Sequence, residues 1–163
     1  MWMCDQNEVV DLLLKTGKTV ATAESCTGGM LGAAFTDFAG ISSVYLEGAV
    51  TYANEAKIRL GVKGETIKQH GAVSRETAAE MAEAVKKRAG ADIGVSTTGI
   101  AGPGGGSRRK PVGLVYVGIA MADGTKTFAL RLAGERTDVR QKTVKAVFHF
   151  LKEELEGGKN GAA

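Results

Sequence analysis

Strand-like and helix-like segments alternate along most of this chain, and this alternation constrains its fold more than any other feature. Short β-branched or aromatic runs are separated by segments whose apolar residues recur at helical spacing. Strands joined through helices form parallel sheets covered by helices on both faces. The sequence therefore predicts an α/β fold with three α/β/α layers and a mixed, mainly parallel sheet, to which a hairpin adds an antiparallel strand. The predicted strands are 18–25, 44–54, 91–99 and the hairpin within 114–132, and the predicted helices are 5–16, 27–37, 54–60, 74–90 and 136–156.

Polar and glycine residues mark several ends of these elements. The pair Asp123-Gly124 is typical of a tight hairpin turn between two strands. Asn54 is predicted to cap the helix that begins there, and Ser25 or Thr27 is predicted to cap the helix at 27–37.

Length and composition place the chain among ordinary globular proteins. Its 163 residues, 44% of them hydrophobic, predict one domain over residues 1–163, with a disordered tail at 157–163. No apolar run has the roughly 20 residues that a membrane-spanning helix needs, and the N-terminus lacks a signal-peptide pattern. The net charge of +3 is too small to indicate a nucleic-acid partner. With two cysteines outside any CxxC pair, we expect a reduced, cytoplasmic protein that binds neither membrane nor nucleic acid.

The stretch ESCTGG joins a predicted strand to a predicted helix and contains two potential nucleophiles, Ser25 and Cys26. Backbone N–H groups at the start of a helix favour negative charge, so an oxyanion could lie against the amides near Cys26, Thr27 and Gly28. A purely structural explanation, a tight turn of small residues, is equally compatible with the spacing.

The choice of nucleophile depends on the available base. A catalytic cysteine needs a histidine or a strongly lowered pKa, and neither His70 nor His149 lies in a segment that suggests such a pairing. A lysine can act as the general base for a serine if the pKa of the lysine is lowered. The segment TYANEAK contains Tyr52 and Lys57. Each of these two could also be an ordinary packing or surface residue. The histidines and cysteines show no metal-ligand spacing, so we expect neither a metal nor another cofactor.

A glycine-rich loop, GPGGG at residues 102–106, follows the third predicted strand. It matches neither the dinucleotide fingerprint nor the P-loop pattern. Consecutive glycines can nevertheless bring backbone N–H groups close to a phosphate or carboxylate. The neighbouring basic cluster at 108–110 could attract an anionic ligand, or it could be a solvated loop.

Taken in order, the blocks AESCTGG, TYANEAK, HGAVS, STTGIAGPGGG and GERTDVR resemble the C-terminal domain family of the competence-damage-inducible protein (CinA). The resemblance extends over about residues 5–156. It implies a nicotinamide mononucleotide deamidase of pyridine nucleotide salvage and NAD metabolism, which hydrolyses a carboxamide to nicotinic acid mononucleotide and ammonia. It also implies a homo-oligomer, in the first place a dimer.

The resemblance further implies roles for individual residues. The serine nucleophile falls on Ser25, and its catalytic partners fall on Tyr52 and Lys57. Arg140 matches a position linked to the substrate's phosphate or to the site. The residues expected to bind the nucleotide substrate are Cys26, Thr27, Gly28, Gly29, Thr98, Gly99, Gly102, Gly104, Gly105 and Arg140.

Many family members carry a second domain before this one. This chain, by contrast, is expected to be a stand-alone enzyme or a separately made domain. Two other functions remain open at this point. The same pocket could belong to a nucleotide-binding regulatory module without turnover, or Cys26 could be the nucleophile of an amidase.

Overall fold

The structure, a computed structural model, describes residues 3–160, and it describes the side chains of residues 5–157. Its elements follow the predicted alternation of helices and strands. They are α1 (Met3–Thr16), β1 (Val20–Glu24), α2 (Met30–Thr36), a 3₁₀ turn (Ile41–Ser43), β2 (Tyr45–Val50), α3 (Asn54–Leu60), α4 (Gly64–His70), α5 (Arg75–Ala89), β3 (Ile93–Gly99), β4 (Leu114–Met121), β5 (Gly124–Arg131) and α6 (Arg136–Asn160).

The strands form one mixed sheet in the order β2-β1-β3-β4-β5. Strand β1 lies between β2 and β3 and pairs in parallel with both, while β4 pairs antiparallel with both β3 and β5. Four strands of this sheet, β1, β2, β3 and β5, therefore point in one direction, and β4 points in the opposite direction. This arrangement confirms the predicted α/β fold with its mainly parallel sheet and antiparallel hairpin.

Alternating side chains of β1 enter two separate apolar clusters, as the twofold repeat of a strand requires. Val20 packs in a cluster with apolar residues of α1, α2 and α6, whereas Ala21 and Ala23 pack with residues of α3 and α5. Helices thus cover both faces of the sheet. The carboxyl ends of β1, β2 and β3 lie side by side at one edge, where ligands of open α/β sheets commonly bind.

Helix α5 lies very close to the sheet because two strand residues have no side chain. A Cβ atom at Gly94 would collide with the carbonyl oxygen of Ala82, and one at Gly118 would lie 2.5 Å from the carbonyl oxygen of Ala78. Ser96 donates a 2.6 Å hydrogen bond from its hydroxyl to the same Ala78 carbonyl. This packing fixes the segment before α5, which forms part of the candidate site.

The predicted N-caps of two helices were wrong. Gly29 precedes α2 with a φ of 101°, and no side chain caps this helix. The Thr27 hydroxyl instead bonds to Glu24, so it is not available as a cap. Ala53, not Asn54, is the residue that precedes α3.

Helix α4 has no buried residue and therefore gave no apolar periodicity to detect.

Helix α6 continues past its predicted end at residue 156 to Asn160. Adding residues to an existing helix is easier than starting one, so a glycine such as Gly157 need not end it. Residues 157–160 of the predicted disordered tail at 157–163 belong to this helix, residues 161–163 lie outside the described residues, and disorder of the tail stays a prediction. Among the helices described, none is long and apolar enough to cross a membrane.

Candidate active site

The turn after β1 is built around the buried carboxylate of Glu24. Its two oxygens accept hydrogen bonds from the backbone N–H groups of Leu31 (2.8 Å) and Gly32 (3.0 Å) at the start of α2. The Thr27 hydroxyl donates a third bond of 2.6 Å. Negative charge at the first turn of a helix is stabilised by the helix dipole and by unpaired N–H groups. Glu24 therefore holds residues 25–29 in one conformation.

Arg140, on α6, braces the same turn from the other side. Its Nε donates to the carbonyl oxygen of Cys26 and its Nη2 to that of Thr27, each over 3.1 Å. Gly28 and Gly29 have φ angles of 57° and 101°, which side chains other than glycine's rarely adopt. The hydrogen bonds described for Arg140 are therefore made with the turn itself.

Ser25 and Lys57 meet at the carboxyl end of β1, although 32 residues separate them. Lys57 projects from α3, and its Nζ lies 3.0 Å from the Ser25 Oγ. The same Nζ donates hydrogen bonds of 2.9 Å to the carbonyl oxygens of Thr51 and Tyr52. Only 1% of Lys57 and 8% of Ser25 is exposed to solvent.

Burial lowers the pKa of the Lys57 amine, because taking a charge out of water disfavours the protonated form. The nearby Cys26 acts in the opposite direction, since a thiolate there would favour the ammonium ion. Both carbonyl partners are neutral, so neither offers Lys57 the full countercharge that a carboxylate would. This environment promotes the neutral amine that a general base requires.

Cys26 lies beside Ser25 but is poorly suited to be the nucleophile. Burial raises the pKa of its thiol to about 12, with its own backbone hydrogen bond acting in the opposite direction. The two histidines are engaged elsewhere: His70 lies 3.7 Å from Glu76, and His149 lies 3.1 Å from Asp5 on α1. The thiol therefore remains protonated at neutral pH, and Ser25 has the better base.

The Tyr52 side chain does not lie between Lys57 and Ser25. Its hydroxyl accepts a 3.1 Å hydrogen bond from Arg136 Nη2, and 58% of the residue is exposed. Lys57 contacts Ser25 directly and meets Tyr52 only through the backbone carbonyl. Transfer of the Ser25 proton to Lys57 therefore does not need a relay through the Tyr52 phenol.

A cavity of about 200 Å³ opens in front of Ser25 and Lys57. Six of its lining residues were predicted from the sequence as site residues, and these are Ser25, Cys26, Tyr52, Lys57, Thr98 and Gly99. The others were not predicted, and these are Asn54, Ala72, Val73, Ala101 and Arg136. Arg136 belongs to the GERTDVR block, which is one of the blocks that carry the family resemblance. The resemblance indicated the second arginine of this block, Arg140, as a site residue, and not the first.

The end of β3, just before the glycine loop, lines the cavity, whereas residues 102–106 do not. Thr98 and Gly99 line it, and the Thr98 hydroxyl donates to the Ala72 carbonyl over 2.8 Å. The Gly102 carbonyl accepts a 2.7 Å bond from Arg136 Nη1. Gly104 and Gly105 are exposed.

Several of the predicted substrate-binding residues do not line the cavity. The residues predicted to bind substrate that are not part of the lining are Thr27, Gly28, Gly29, Gly102, Gly104, Gly105 and Arg140. Their predicted contact with a substrate remains a prediction.

One of the three amides predicted to bind an oxyanion is occupied. The Gly28 N–H donates to the Ser25 carbonyl over 3.1 Å. Within the described part of the chain, the amides of Cys26 and Thr27 have no backbone acceptor. These two amides are the candidates that remain for stabilising an oxyanion on a substrate attacked by Ser25.

Comparisons of this chain with known proteins all lead to the same family. The family model described as the CinA C-terminal domain matches residues 5–155. A competence-damage inducible protein of Clostridium acetobutylicum is 55% identical over 145 residues, which cover 88% of this chain and 35% of that protein. One from Clostridium botulinum is 52% identical over 149 residues, or 91% of this chain and 36% of that protein. The chain thus spans about a third of the length of these curated relatives.

Solved structures agree with the fold over nearly the full length of both chains. The competence/damage inducible protein CihA from Agrobacterium tumefaciens has a TM-score of 0.86 at 42% identity, covering 93% of this chain and 96% of its own. A CinA superfamily protein from Klebsiella pneumoniae has a TM-score of 0.91 at 34% identity, covering 96% of this chain and 99% of its own.

Proposed function

Since the chain belongs to the CinA C-terminal domain family, we propose that it is an amidohydrolase that deamidates nicotinamide mononucleotide, yielding nicotinic acid mononucleotide and ammonia. The observation that carries this proposal is the 3.0 Å contact between Lys57 Nζ and Ser25 Oγ at the base of a cavity. A buried amine beside a serine hydroxyl is the arrangement that activates serine without histidine.

The hydrogen bonds of Lys57 orient it as a base. A neutral amine has two N–H bonds and one lone pair, and two carbonyl oxygens, those of Thr51 and Tyr52, can accept both N–H bonds. The third direction faces Ser25 Oγ. The lone pair then points at the serine hydroxyl, from which it can accept the proton.

The reaction proceeds in two halves. Ser25 Oγ attacks the carboxamide carbon as its proton passes to Lys57, and the amides of Cys26 and Thr27 stabilise the oxyanion. When the tetrahedral intermediate collapses, the C–N bond breaks and Lys57 returns the proton to the leaving ammonia. Water, deprotonated by Lys57, then attacks the Ser25 ester. The ester C–O bond breaks, Lys57 returns the proton to Ser25 Oγ, and the carboxylic acid product leaves.

The proposal extends to the setting of the enzyme. It acts without a cofactor in the cytoplasm, in pyridine nucleotide salvage, and it forms a homo-oligomer, in the first place a dimer. The described residues contain no group of three or more histidine, cysteine or acidic side chains arranged to hold a metal. The reaction as written uses only Ser25, Lys57 and backbone amides.

The test is ammonia release from nicotinamide mononucleotide by the purified chain beside its Ser25→Ala variant. Turnover should fall at least about 10³-fold in the variant, because the acyl-enzyme can no longer form. Calorimetry should show that the variant still binds nicotinic acid mononucleotide. Ser43→Ala, which removes an exposed hydroxyl bonded only to the Gly40 carbonyl, is the matched control.

Two outcomes would contradict this scheme in different ways. Unchanged turnover in Ser25→Ala would exclude the serine nucleophile, and loss of that turnover on thiol alkylation would then identify a Cys26 amidase. Nucleotide binding without any ammonia release would identify a regulatory module in which Ser25 is a turn residue.

A further inference from the structure

We propose that Arg140 is a positioning residue for this reaction, which holds the peptide between Cys26 and Thr27 so that the Thr27 N–H stays available to the oxyanion. This inference rests on the proposed function. The sequence resemblance indicated Arg140 as a residue that binds the substrate. The contacts of its guanidinium are instead with the backbone of the turn that carries the nucleophile.

The guanidinium of Arg140 binds two consecutive carbonyl groups of this turn. Its Nε donates to the Cys26 oxygen and its Nη2 to the Thr27 oxygen, each over 3.1 Å. Both donors belong to one rigid plane, so together they fix the orientation of two neighbouring peptide units. Arg140 does not line the cavity, so its effect on the reaction passes through the turn.

The orientation of the peptide between Cys26 and Thr27 decides where the Thr27 N–H points. This peptide is trans, so its carbonyl and its N–H point in opposite directions. The carbonyl faces Arg140 on α6, and the N–H therefore faces away from that side chain. If the peptide rotated, a carbonyl oxygen would replace the N–H donor, and its partial negative charge would repel an oxyanion.

The other hydrogen bonds of the turn act on different groups. The Gly28 N–H donates to the Ser25 carbonyl, and the Thr27 hydroxyl donates to Glu24. Neither bond involves the Cys26 carbonyl. Among the hydrogen bonds given for the described residues, the one that holds this carbonyl comes from Arg140.

The charge of Arg140 also opposes that of a buried carboxylate close to the nucleophile. At Cys26, beside Ser25, burial and the charge of Glu24 raise the pKa of the thiol, whereas the charge of Arg140 lowers it. An oxyanion that forms beside Ser25 is exposed to the same two charges. Arg140 therefore favours the negative charge that develops in the transition state.

The first experiment compares Arg140→Ala with the parent in steady-state ammonia release from nicotinamide mononucleotide. Loss of one oxyanion donor costs about 10²- to 10³-fold in kcat. A donor that is misdirected but still present should cost about 10- to 100-fold, with KM changed by less than about threefold. Arg140→Lys, which keeps the charge but not the planar fork, should have an intermediate kcat.

The matched control is Lys142→Ala. Lys142 is another exposed cation of α6 that donates to a backbone carbonyl, that of Ala133 over 2.6 Å, and it does not line the cavity. This variant should keep the kcat of the parent. Added guanidinium ion at millimolar concentration should restore part of the kcat of Arg140→Ala, because it supplies the same planar donors. Circular dichroism confirms that each variant is folded.

Two inhibitors separate positioning from binding and from folding. An aldehyde analogue of the substrate forms a hemiacetal: Ser25 Oγ bonds to the aldehyde carbon, its proton passes to Lys57, and the carbonyl oxygen becomes an oxyanion. Nicotinic acid mononucleotide, the product, is bound without an oxyanion of this kind. In Arg140→Ala the inhibition constant of the aldehyde should rise about 10- to 100-fold, and that of the product by less than about threefold.

The outcomes are distinct. Unchanged kcat in Arg140→Ala overturns the inference and leaves the deamidase intact. Equal losses of affinity for the aldehyde and the product also overturn it, because Arg140 would then bind the phosphate or maintain the fold. A loss of kcat in Lys142→Ala as large as that in Arg140→Ala overturns it as well. If the parent releases no ammonia, the proposed function fails and the inference fails with it.

Discussion

Two lysines of this chain, Lys57 and Lys152, have their pKa values shifted in opposite directions by their surroundings. Lys57 is buried among neutral carbonyl groups, and burial lowers its pKa. Lys152 lies between α1 and α6, where its Nζ bonds to Glu8 over 2.6 Å and to Asp5 over 3.3 Å, and these carboxylates raise its pKa. A lysine amine becomes a base or a fixed cation according to whether its partners carry charge.

The same substitution at both positions gives the largest contrast. Lys57→Met should reduce turnover of nicotinamide mononucleotide by at least about 10³-fold, because Ser25 loses its base. Lys152→Met should leave turnover within about twofold, since its partners lie on α1 and not at the cavity. Steady-state ammonia release measures both. Comparable losses in the two variants would mean that Lys57 acts through general stability instead of through Ser25.

The pH dependence of the reaction sharpens the contrast. Lys57 must be neutral to accept a proton, so kcat/KM should rise about tenfold per pH unit below its pKa and level off above it. Because burial lowers that pKa from 10.5, the plateau should begin below pH 10.5. A kcat/KM that falls as pH rises from 6 to 9.5 would contradict a lysine base.

The lowered pKa of Lys57 also makes the stability of the fold depend on pH. Between its folded pKa and its unfolded value, the unfolded chain binds more protons, so this residue makes the fold more stable as pH rises. Lys152 has the opposite sign: its contribution is fully present below the unfolded pKa and is lost as pH rises through the raised folded value.

The smallest expected effect is on thermal stability in salt. Lys152→Met should lower the unfolding midpoint slightly in dilute buffer, and 1 M NaCl should remove most of that difference, because the ion pair is partly exposed. Any change in midpoint caused by Lys57→Met should persist in salt, since its partners are neutral carbonyl groups. Calorimetric scans at two salt concentrations provide the test, and a salt-sensitive Lys57→Met effect would contradict the neutral environment.

Local sequence signals were sufficient for most of the fold. Asp123-Gly124 lies at the hairpin connection between β4 and β5 as predicted, and Ser74 and Gly90 cap α5 at its two ends. Each of these signals depends on residues within a few positions of one another. Helix α4 was missed because none of its residues is buried, so its sequence lacks an apolar stripe.

The sequence by itself determined the order of elements and the candidate nucleophile turn, because hydrophobic period and turn residues act over short distances. Only the tertiary structure decided which side chains meet. Lys57 reaches Ser25 because β1 and β2 pair in parallel and bring their carboxyl ends together. Arg136 and Arg140 are one helical turn apart, and the packing of α6 places the first at the cavity and the second against the turn. No local pattern contains that choice, because it depends on contacts between residues 34 to 114 positions apart in sequence.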